Sequence, residues 1–227
     1  MTQSSDHPDD LAHVLSDYRR SWVDGRSADG AEGAMRHVHA GNGSALGESE
    51  WIGAAGIDRA VTAARRAFGV WGVMPLGERR AALHRFADAI AANVERLAMV
   101  ESLEAGRPLG DATMLIAQAP DFLRRYIGMI DPAQGDVIAG ETRQINVSWR
   151  RPRGVVAAIL PWNFPVMNMM VRIAPALAAG NCVVVKPSEN TPHTAVMLAQ
   201  LASEAGLPDG VLNVALGNGA GAGRALA

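Results

Sequence analysis

The sequence predicts an α/β protein in which helices cover both faces of a parallel sheet. Three apolar runs in its last third read as strands: VVAAIL after Gly154, CVVVK from Cys182 and GVLNVAL from Gly210. Two segments of helical character, VMNMMVRIAPALAAG and TAVMLAQLASEAG, separate these runs. Alternating strands and helices with apolar strands are typical of a parallel sheet, because each crossover between neighbouring parallel strands needs a long connection.

The composition is that of a globular protein. Hydrophobic residues make up 48% of the 227 residues and charged residues 19%, which is enough to bury a core. The formal net charge of -2 gives no electrostatic reason to expect nucleic acid or an anionic membrane as a partner. No apolar run approaches the roughly 20 residues that cross a bilayer, and the polar start MTQSSDHPDD lacks the apolar segment of a signal peptide. These features favour a cytoplasmic protein.

Residues 1–135 are predicted to be mainly helical. Trp22 to Trp51 is rich in Gly, Ser and Asp, which favours small strands and turns. The segment AAGIDRAVTAARRAFGVWG then has apolar residues at helical spacing, with Asp58 near its start and Gly69 near its end. Two more helices are predicted in PLGERRAALHRFADAIAANVERLAMVESLEAGRPL, and a further one is predicted to be interrupted at Pro120.

The pattern changes at Gly135. Residues 136–153 alternate between apolar and polar side chains and are rich in β-prone types. Gly140, Glu141 and Thr142 form a plausible turn within this segment. The sequence therefore predicts a β-hairpin here.

The segment PWNFP follows the first strand of the predicted sheet. Ligands of such folds bind at the carboxyl ends of the parallel strands, which is where this segment lies. Asn163 stands between two prolines, so its backbone is fixed. A rigid turn with Trp162 and Phe164 in the core would produce the same pattern, and the residues alone do not separate these interpretations.

Polar and glycine-rich segments follow the other two strands. The second strand ends in VVVKPSENTP, where Lys186 and Glu189 could hold the ribose hydroxyls of a nucleotide. A solvated ion pair that caps the next helix is the alternative. The third strand ends in LGNGAGAG, where glycines permit a phosphate to approach the backbone, although a flexible loop has the same composition.

The remaining candidates for chemistry are one cysteine and six histidines. Cys182 opens an apolar strand, where a small thiol packs like alanine or valine, so a structural role is predicted. A single cysteine also permits no internal disulfide. The histidines show no metal-ligand spacing with carboxylates or with the cysteine, and no metal site is predicted. They are His7, His13, His37, His39, His84 and His193.

The three strand-end segments resemble, in this order and spacing, the aldehyde dehydrogenase superfamily. The resemblance runs from about Ser21 to the last residue. It includes WVDGR, AVTAARRAF, ESLEAGRPL, RPRGVVAAILPWNFPVMNMMVRIAPALAAGNCVVVKPSENTP and EAGLPDGVLNVALGNG. PWNFP followed by AGNCVVVKPSE is the most specific part.

The resemblance implies an NAD cofactor, with NADP possible, and a set of site residues. Asn163 matches the asparagine whose amide forms part of the oxyanion hole, and Lys186 and Glu189 match the residues that hold the adenosine ribose. Ala220 stands where relatives carry a proline, so the glycine turn is the least secure match. The positions implied to bind the cofactor are Ile159, Leu160, Pro161, Trp162, Asn163, Lys186, Ser188, Glu189, Gly219 and Gly223.

The resemblance also implies a domain organisation. Residues 1–135 form the helical part of the cofactor-binding domain, 136–153 the oligomerisation arm of a homo-oligomer, and 154–227 the first half of an incomplete Rossmann-like sheet. The family's general base and nucleophilic cysteine belong to later segments that these residues do not include, and Cys182 does not match that nucleophile. We expect an N-terminal portion of an enzyme that oxidises a small aldehyde to a carboxylic acid. The alternative is a non-catalytic nucleotide-binding or assembly module that pairs with a full-length subunit.

Overall fold

Short strands lie between Ser21 and Glu50, as the Gly- and Ser-rich composition predicted. The computed structural model describes residues 15–130, 135–140 and 144–227. A single helical turn at Ser16–Tyr18 precedes the strands. They are β1 (Ser21–Val23), β2 (Arg26–Ala28), β3 (Ala34–Val38) and β4 (Ala45–Glu50). β1 pairs with β2, and β3 with β4, in antiparallel fashion.

Helices follow, and they confirm the helical character predicted for this half. They are α1 (Gly53–Trp71), α2 (Leu76–Ala92), α3 (Val94–Ala105), α4 (Leu109–Ile116) and α5 (Ala119–Gly128). The break at Pro120 is confirmed, because this proline lies in the first turn of α5, where its missing N–H costs nothing. Among the described residues, no helix is both long enough and apolar enough to span a bilayer.

The predicted ends of the first helix are confirmed to within about one turn. α1 runs from Gly53 to Trp71, with Asp58 in its second turn and Gly69 in its last turn. Trp71 is fully buried, and its indole Nε1 donates to the carbonyl oxygen of Leu177 at 3.2 Å. Burial of this large side chain therefore outweighs the weak helix propensity of glycine.

The hairpin is confirmed in its strands. β5 (Val137–Ile138) and β6 (Asn146–Val147) pair in antiparallel fashion. Of the predicted turn, Glu141 and Thr142 lie outside the described residues. All four strand residues are exposed, so the arm stands away from the core.

The last third forms the parallel sheet that the sequence predicted. Its elements are β7 (Val155–Ile159), α6 (Pro165–Ala178), β8 (Cys182–Lys186), α7 (His193–Glu204), β9 (Leu212–Val214) and the short α8 (Arg224–Leu226). β8 pairs in parallel with β7 on one side and with β9 on the other. The strand order β2-β1-β9-β8-β7 shows that two N-terminal strands extend this sheet, which the sequence interpretation missed.

The register of the three parallel strands brings their carboxyl ends level. Ile159 of β7 lies opposite Lys186 of β8, and Val185 lies opposite Val214 of β9. Every residue of β8 is buried, as a central strand covered on both faces requires. The sheet thus presents one edge at which three loops meet.

Asn181 ties the hairpin arm to this sheet. Its side-chain Oδ1 accepts hydrogen bonds from the backbone N–H groups of Arg153, at 2.6 Å, and Gly154, at 3.1 Å. Its Nδ2 donates to the carbonyl oxygen of Ala176 at 3.2 Å. Because Asn181 is only 7% exposed, water cannot easily replace these bonds.

We expect Asn181→Ala to lower the free energy of unfolding by about 1–3 kcal/mol, because it leaves buried backbone groups unpaired. The urea midpoint of the 227-residue chain measures this change. Asn190→Ala is the matched control, since Asn190 is exposed. It should change the free energy of unfolding by less than about 0.5 kcal/mol. Equal midpoints for the two variants would contradict the role assigned to Asn181.

Candidate functional site

The candidate site lies where β7, β8 and β9 end. The backbone N–H of Leu160, just after β7, donates to the carbonyl oxygen of Lys186 at 3.0 Å. Ala215, just after β9, donates to Val185 at 2.8 Å. The loops that follow the three strands therefore begin side by side, as the sequence predicted for its three strand-end motifs.

The PWNFP segment is a rigid tip at the surface. Trp162 is 55% exposed and Phe164 is 40% exposed, so the interpretation that placed both in the core is wrong. Pro161 and Asn163 are also exposed, whereas Leu160 is buried. Ile159 at the end of β7 is about half exposed. Pro165 then opens α6, where its fixed φ suits the first turn.

The side chain of Asn163 is oriented by the helix that follows it. Its Oδ1 accepts a hydrogen bond from Nδ2 of Asn168 at 3.2 Å. The carbonyl oxygen of Asn163 accepts another from Nη2 of Arg107 at 2.8 Å. The amide Nδ2 of Asn163 has no hydrogen-bond partner among the described residues, so it is the group that can donate to a ligand.

Lys186 and Glu189 form an ion pair beside this tip. Nζ of Lys186 donates to Oε2 of Glu189 at 3.0 Å, with the lysine side chain 3% exposed and the glutamate side chain 33% exposed. Burial alone would raise the pKa of Glu189, but hydrogen bonds from its own backbone, from Lys186 and from the backbone of Gly219 lower it overall. The pair is therefore not a solvated one. Nor does it cap α7, as the alternative interpretation required.

The glycine turn closes over the same ion pair. Asn218 Oδ1 accepts from the backbone N–H of Gly221 at 2.6 Å, which holds Gly219–Gly223 in one wide helical turn. A Cβ atom at Gly219 would meet no described atom within 4 Å, and one at Gly223 would lie 3.6 Å from Cδ of Lys186. The protein itself does not fill the space at Gly219, so a ligand could approach the backbone there.

Ser188 lies inside the loop between Lys186 and Glu189. It is 7% exposed, and its Oγ accepts from the backbone N–H of Asn190 at 3.2 Å. This contact shapes the loop.

Two buried carboxylates of α3 hold the helices that follow the site loops, and the sequence interpretation missed both. Glu101 Oε2 accepts from the backbone N–H of Val166 in the first turn of α6, at 3.2 Å. Glu104 Oε1 accepts from the backbone N–H of His193 in the first turn of α7, at 3.3 Å. Neither helix is capped by the side chain of its own N-cap residue. The spacing of the two acids in ESLE, i and i+3 on one helix face, was the available signal.

Glu101 also binds Arg107. Nε of Arg107 donates to Oε1 of Glu101 at 3.2 Å, and Glu101 is fully buried. Burial raises the pKa of Glu101, and the hydrogen bond from Val166 and the charge of Arg107 only partly offset this effect. Arg107 thus connects a buried acid to the surface tip that carries Asn163.

Residues 26–227 match the family model described as "Aldehyde dehydrogenase family". The chain belongs to the aldehyde dehydrogenase family. It is 45% identical over 173 residues to the NADP/NAD-dependent aldehyde dehydrogenase PuuC of Escherichia coli (strain K12), covering 75% of this chain and 35% of that protein. It is 43% identical over 199 residues to the 3,6-anhydro-alpha-L-galactose dehydrogenase of Streptomyces coelicolor, covering 87% of this chain and 40% of that protein. The chain therefore spans less than half the length of these relatives.

Solved structures of aldehyde dehydrogenases have the same fold over nearly all of this chain. A putative aldehyde dehydrogenase from Burkholderia cenocepacia superimposes with a TM-score of 0.89 at 42% identity, over 92% of this chain and 43% of its own. The P. syringae indole-3-acetaldehyde dehydrogenase AldA, in a mutant form in complex with NAD+ and IAA, superimposes with a TM-score of 0.91 at 39% identity. That match covers 96% of this chain and 45% of AldA. The predicted fold class and family are confirmed.

Cys182 of this aldehyde dehydrogenase chain is a core residue. It is fully buried at the start of β8, and burial raises the pKa of its thiol to about 12. A thiol in this state is neutral near pH 7, whereas a nucleophilic cysteine must reach the thiolate form. Its position and ionisation therefore agree with the structural role predicted for it.

Three buried residues beside α7 bring potential metal ligands together, which the spacing argument did not anticipate. One ligand atom from each of His37, Glu104 and His193 lies within 4.8 Å of the others. As arranged, however, Glu104 accepts hydrogen bonds from the ring Nδ1 and from the backbone N–H of His193. His37 Nε2 is bonded to Oγ of Ser49 at 2.7 Å. The group therefore caps α7, while Oε2 of Glu104 and Nε2 of His193 are buried with no hydrogen-bond partner among the described residues.

The protonation of His37 fits this buried arrangement. Burial, and then the charges of His193 and Arg19, lower the pKa of His37 to about 4. His37 is consequently neutral near pH 7. Its ring packs edge-on against that of His193, with centroids 4.7 Å apart.

Proposed function

We propose that this chain supplies the cofactor-binding edge and the oxyanion amide of an enzyme that oxidises a small aldehyde to a carboxylic acid with NAD. One observation carries the proposal. The free amide of Asn163 and the ion pair of Lys186 with Glu189 lie at the ends of two adjacent parallel strands, joined by the Leu160–Lys186 hydrogen bond of 3.0 Å. In open α/β folds this is the place where ligands bind.

The chemistry of the residues fits the adenosine end of a dinucleotide. The carboxylate of Glu189 is one-third exposed and ionised, so it can accept hydrogen bonds from ribose hydroxyls. Lys186 fixes that carboxylate and adds a donor of its own. The glycine turn at Gly219 leaves space beside them. When bound, NAD supplies the hydride acceptor of the reaction.

Asn163 would donate a hydrogen bond to the carbonyl oxygen of the aldehyde. When a thiolate adds to an aldehyde, negative charge develops on the carbonyl oxygen, and a fixed neutral donor stabilises it without reorganising. The Nδ2 group of Asn163 meets this requirement, because Oδ1 of the same amide is held by a hydrogen bond from Nδ2 of Asn168 at 3.2 Å. The thiolate itself would come from outside these residues, since Cys182 is buried.

A chimera tests this role. When residues 26–227 replace the matching part of a full-length relative, we expect aldehyde-dependent formation of NADH. Asn163→Ala in this chimera should lower kcat by ~10²–10³ with little change in the affinity for NAD, because the amide acts on charge that develops during the reaction. Asn190→Ala is the control, since that asparagine is exposed on the neighbouring loop. Unchanged kcat in Asn163→Ala would refute the oxyanion role, and a folded chimera that binds NAD without turnover would favour the non-catalytic module.

A preference for NAD over NADP follows from Glu189. Its carboxylate should accept a bond from a ribose 2′-hydroxyl and repel a 2′-phosphate. We expect the 227-residue chain to bind 5′-AMP at least about tenfold more tightly than 2′,5′-ADP, a difference of about 1.4 kcal/mol. Isothermal titration measures both affinities. Glu189→Gln should narrow the difference, because it removes the repulsion, and tighter binding of 2′,5′-ADP to the unaltered chain would overturn the preference.

We further propose that the hairpin is an assembly arm, as the family resemblance implies. Apolar side chains on and beside its strands are strongly exposed. Ile145 is 86% exposed, Val137 82% and Trp149 77%. Exposed apolar patches of this kind are typical of protein–protein interfaces. A homo-oligomer or a pairing with a full-length subunit would cover them.

We expect Ile145→Lys to weaken self-association of the chain by at least about tenfold, because burial of a charge costs more than the interface gains. Sedimentation equilibrium measures the association constant. Met114→Lys is the matched control, since Met114 is also exposed, at 67%, but lies on α4. An arm that takes no part in assembly would leave the two variants indistinguishable.

A further inference from the structure

We propose that Arg107 and Glu101 are positioning residues that clamp the PWNFP tip and so fix the direction of the Asn163 amide. The two side chains reach the tip from the end of α3 and the turn after it. They hold it at Asn163 and Phe164 on one side and at Val166 on the other. The importance of this clamp for the reaction rests on the role proposed for Asn163.

Arg107 makes three separate contacts with different parts of its guanidinium. Nε donates to Glu101 at 3.2 Å, and Nη2 donates to the carbonyl oxygen of Asn163 at 2.8 Å. The ring of Phe164 lies under the guanidinium, with Cζ 4.3 Å from the ring centroid. A planar, forked group is suited to this combination, because it can bond in its plane and stack on its face at once.

Glu101 fixes the start of α6, the helix that follows the tip. Its Oε1 binds Arg107, and its Oε2 binds the backbone N–H of Val166 at 3.2 Å. Asn168, in the same first turn of α6, orients the side chain of Asn163 through the bond of 3.2 Å. Glu101 therefore acts on the amide through α6, whereas Arg107 acts on the backbone of Asn163 directly.

The backbone of Arg107 is itself held in place. Gly106 ends α3 with φ at +70°, a left-handed conformation that glycine adopts without strain. Oγ of Ser102 donates to the carbonyl oxygen of Arg107 at 2.7 Å. The clamp is thus anchored to the helix rather than to a free loop, and this limits the positions available to the guanidinium.

Arg107→Lys separates positioning from overall stability. Lysine keeps a positive charge for Glu101, so no buried carboxylate is left unpaired, but it cannot bond Glu101 and Asn163 while stacking on Phe164. Phe164→Leu removes only the stacking and keeps both charges. Arg124→Lys is the matched control, because Arg124 makes two ion pairs with Asp88 and Asp121 on an exposed surface.

Hydrogen–deuterium exchange of the 227-residue chain is the test, with mass analysis of peptides that cover residues 161–168 and, for comparison, β8. We expect exchange in residues 161–168 to become about tenfold faster in Arg107→Lys and to increase less in Phe164→Leu, with β8 and the thermal midpoint nearly unchanged. The side-chain amide resonance of Asn163, identified by its loss in Asn163→Ala, should shift in Arg107→Lys. Arg124→Lys should change neither observable.

Unchanged exchange in residues 161–168 in both variants would overturn the clamp, as would an Asn163 amide resonance that does not move. If Arg107→Lys lowers the thermal midpoint of the whole chain, the test of the clamp is Phe164→Leu, with the exchange of residues 161–168 and the Asn163 amide resonance as the measurements. Neither measurement uses nucleotide or aldehyde. A failure of the clamp is therefore distinguishable from a failure of the proposed function, which the titrations and the chimera test separately.

Discussion

Two buried carboxylates on one face of α3 hold the site together. The carboxylate of Glu101 accepts a hydrogen bond from the backbone N–H of Val166 in the first turn of α6, at 3.2 Å. That of Glu104 accepts one from the backbone N–H of His193 in the first turn of α7, at 3.3 Å. The N-terminus of a helix has unpaired N–H groups and a partial positive charge, so an acid placed there satisfies both. Because neither helix caps itself, the two loops that precede them take their positions from the same pair of acids. A single helix therefore holds the N-termini of both helices that follow the site loops.

Strand pairing and side-chain contacts determine different features of the site. Parallel pairing brings the ends of β7 and β8 level, with Ile159 opposite Lys186, and so decides which residues can meet. It does not decide where an exposed side chain points. That direction comes from side-chain contacts: Asn168 for the amide of Asn163, and Lys186 with the backbone of Gly219 for the carboxylate of Glu189.

Local patterns were sufficient to predict the parallel sheet, the hairpin and most helices, because period and turn residues are local properties. The three strand-end motifs were found for the same reason. Contacts across long sequence distances were missed. Glu104 meets His193 over 89 residues and Glu101 meets Val166 over 65 residues, and no spacing rule connects such positions. The exposure of Trp162 and Phe164 was likewise undecided, since aromatic residues between prolines fit a core or a surface equally well.

The pairing of β1 with β9 has a consequence for how this chain becomes ordered. Trp22 lies opposite Val214, Ser21 Oγ accepts from the backbone N–H of Leu216, and the backbone N–H of Asp24 donates to Oδ1 of Asn213. These contacts close loops of 189 and 195 residues. Of the described strands, β1 is therefore synthesised long before its partner β9, and the two can pair only after β9 has emerged from the ribosome. Helices α1 to α5 can form from local contacts during that interval, and the sheet closes late.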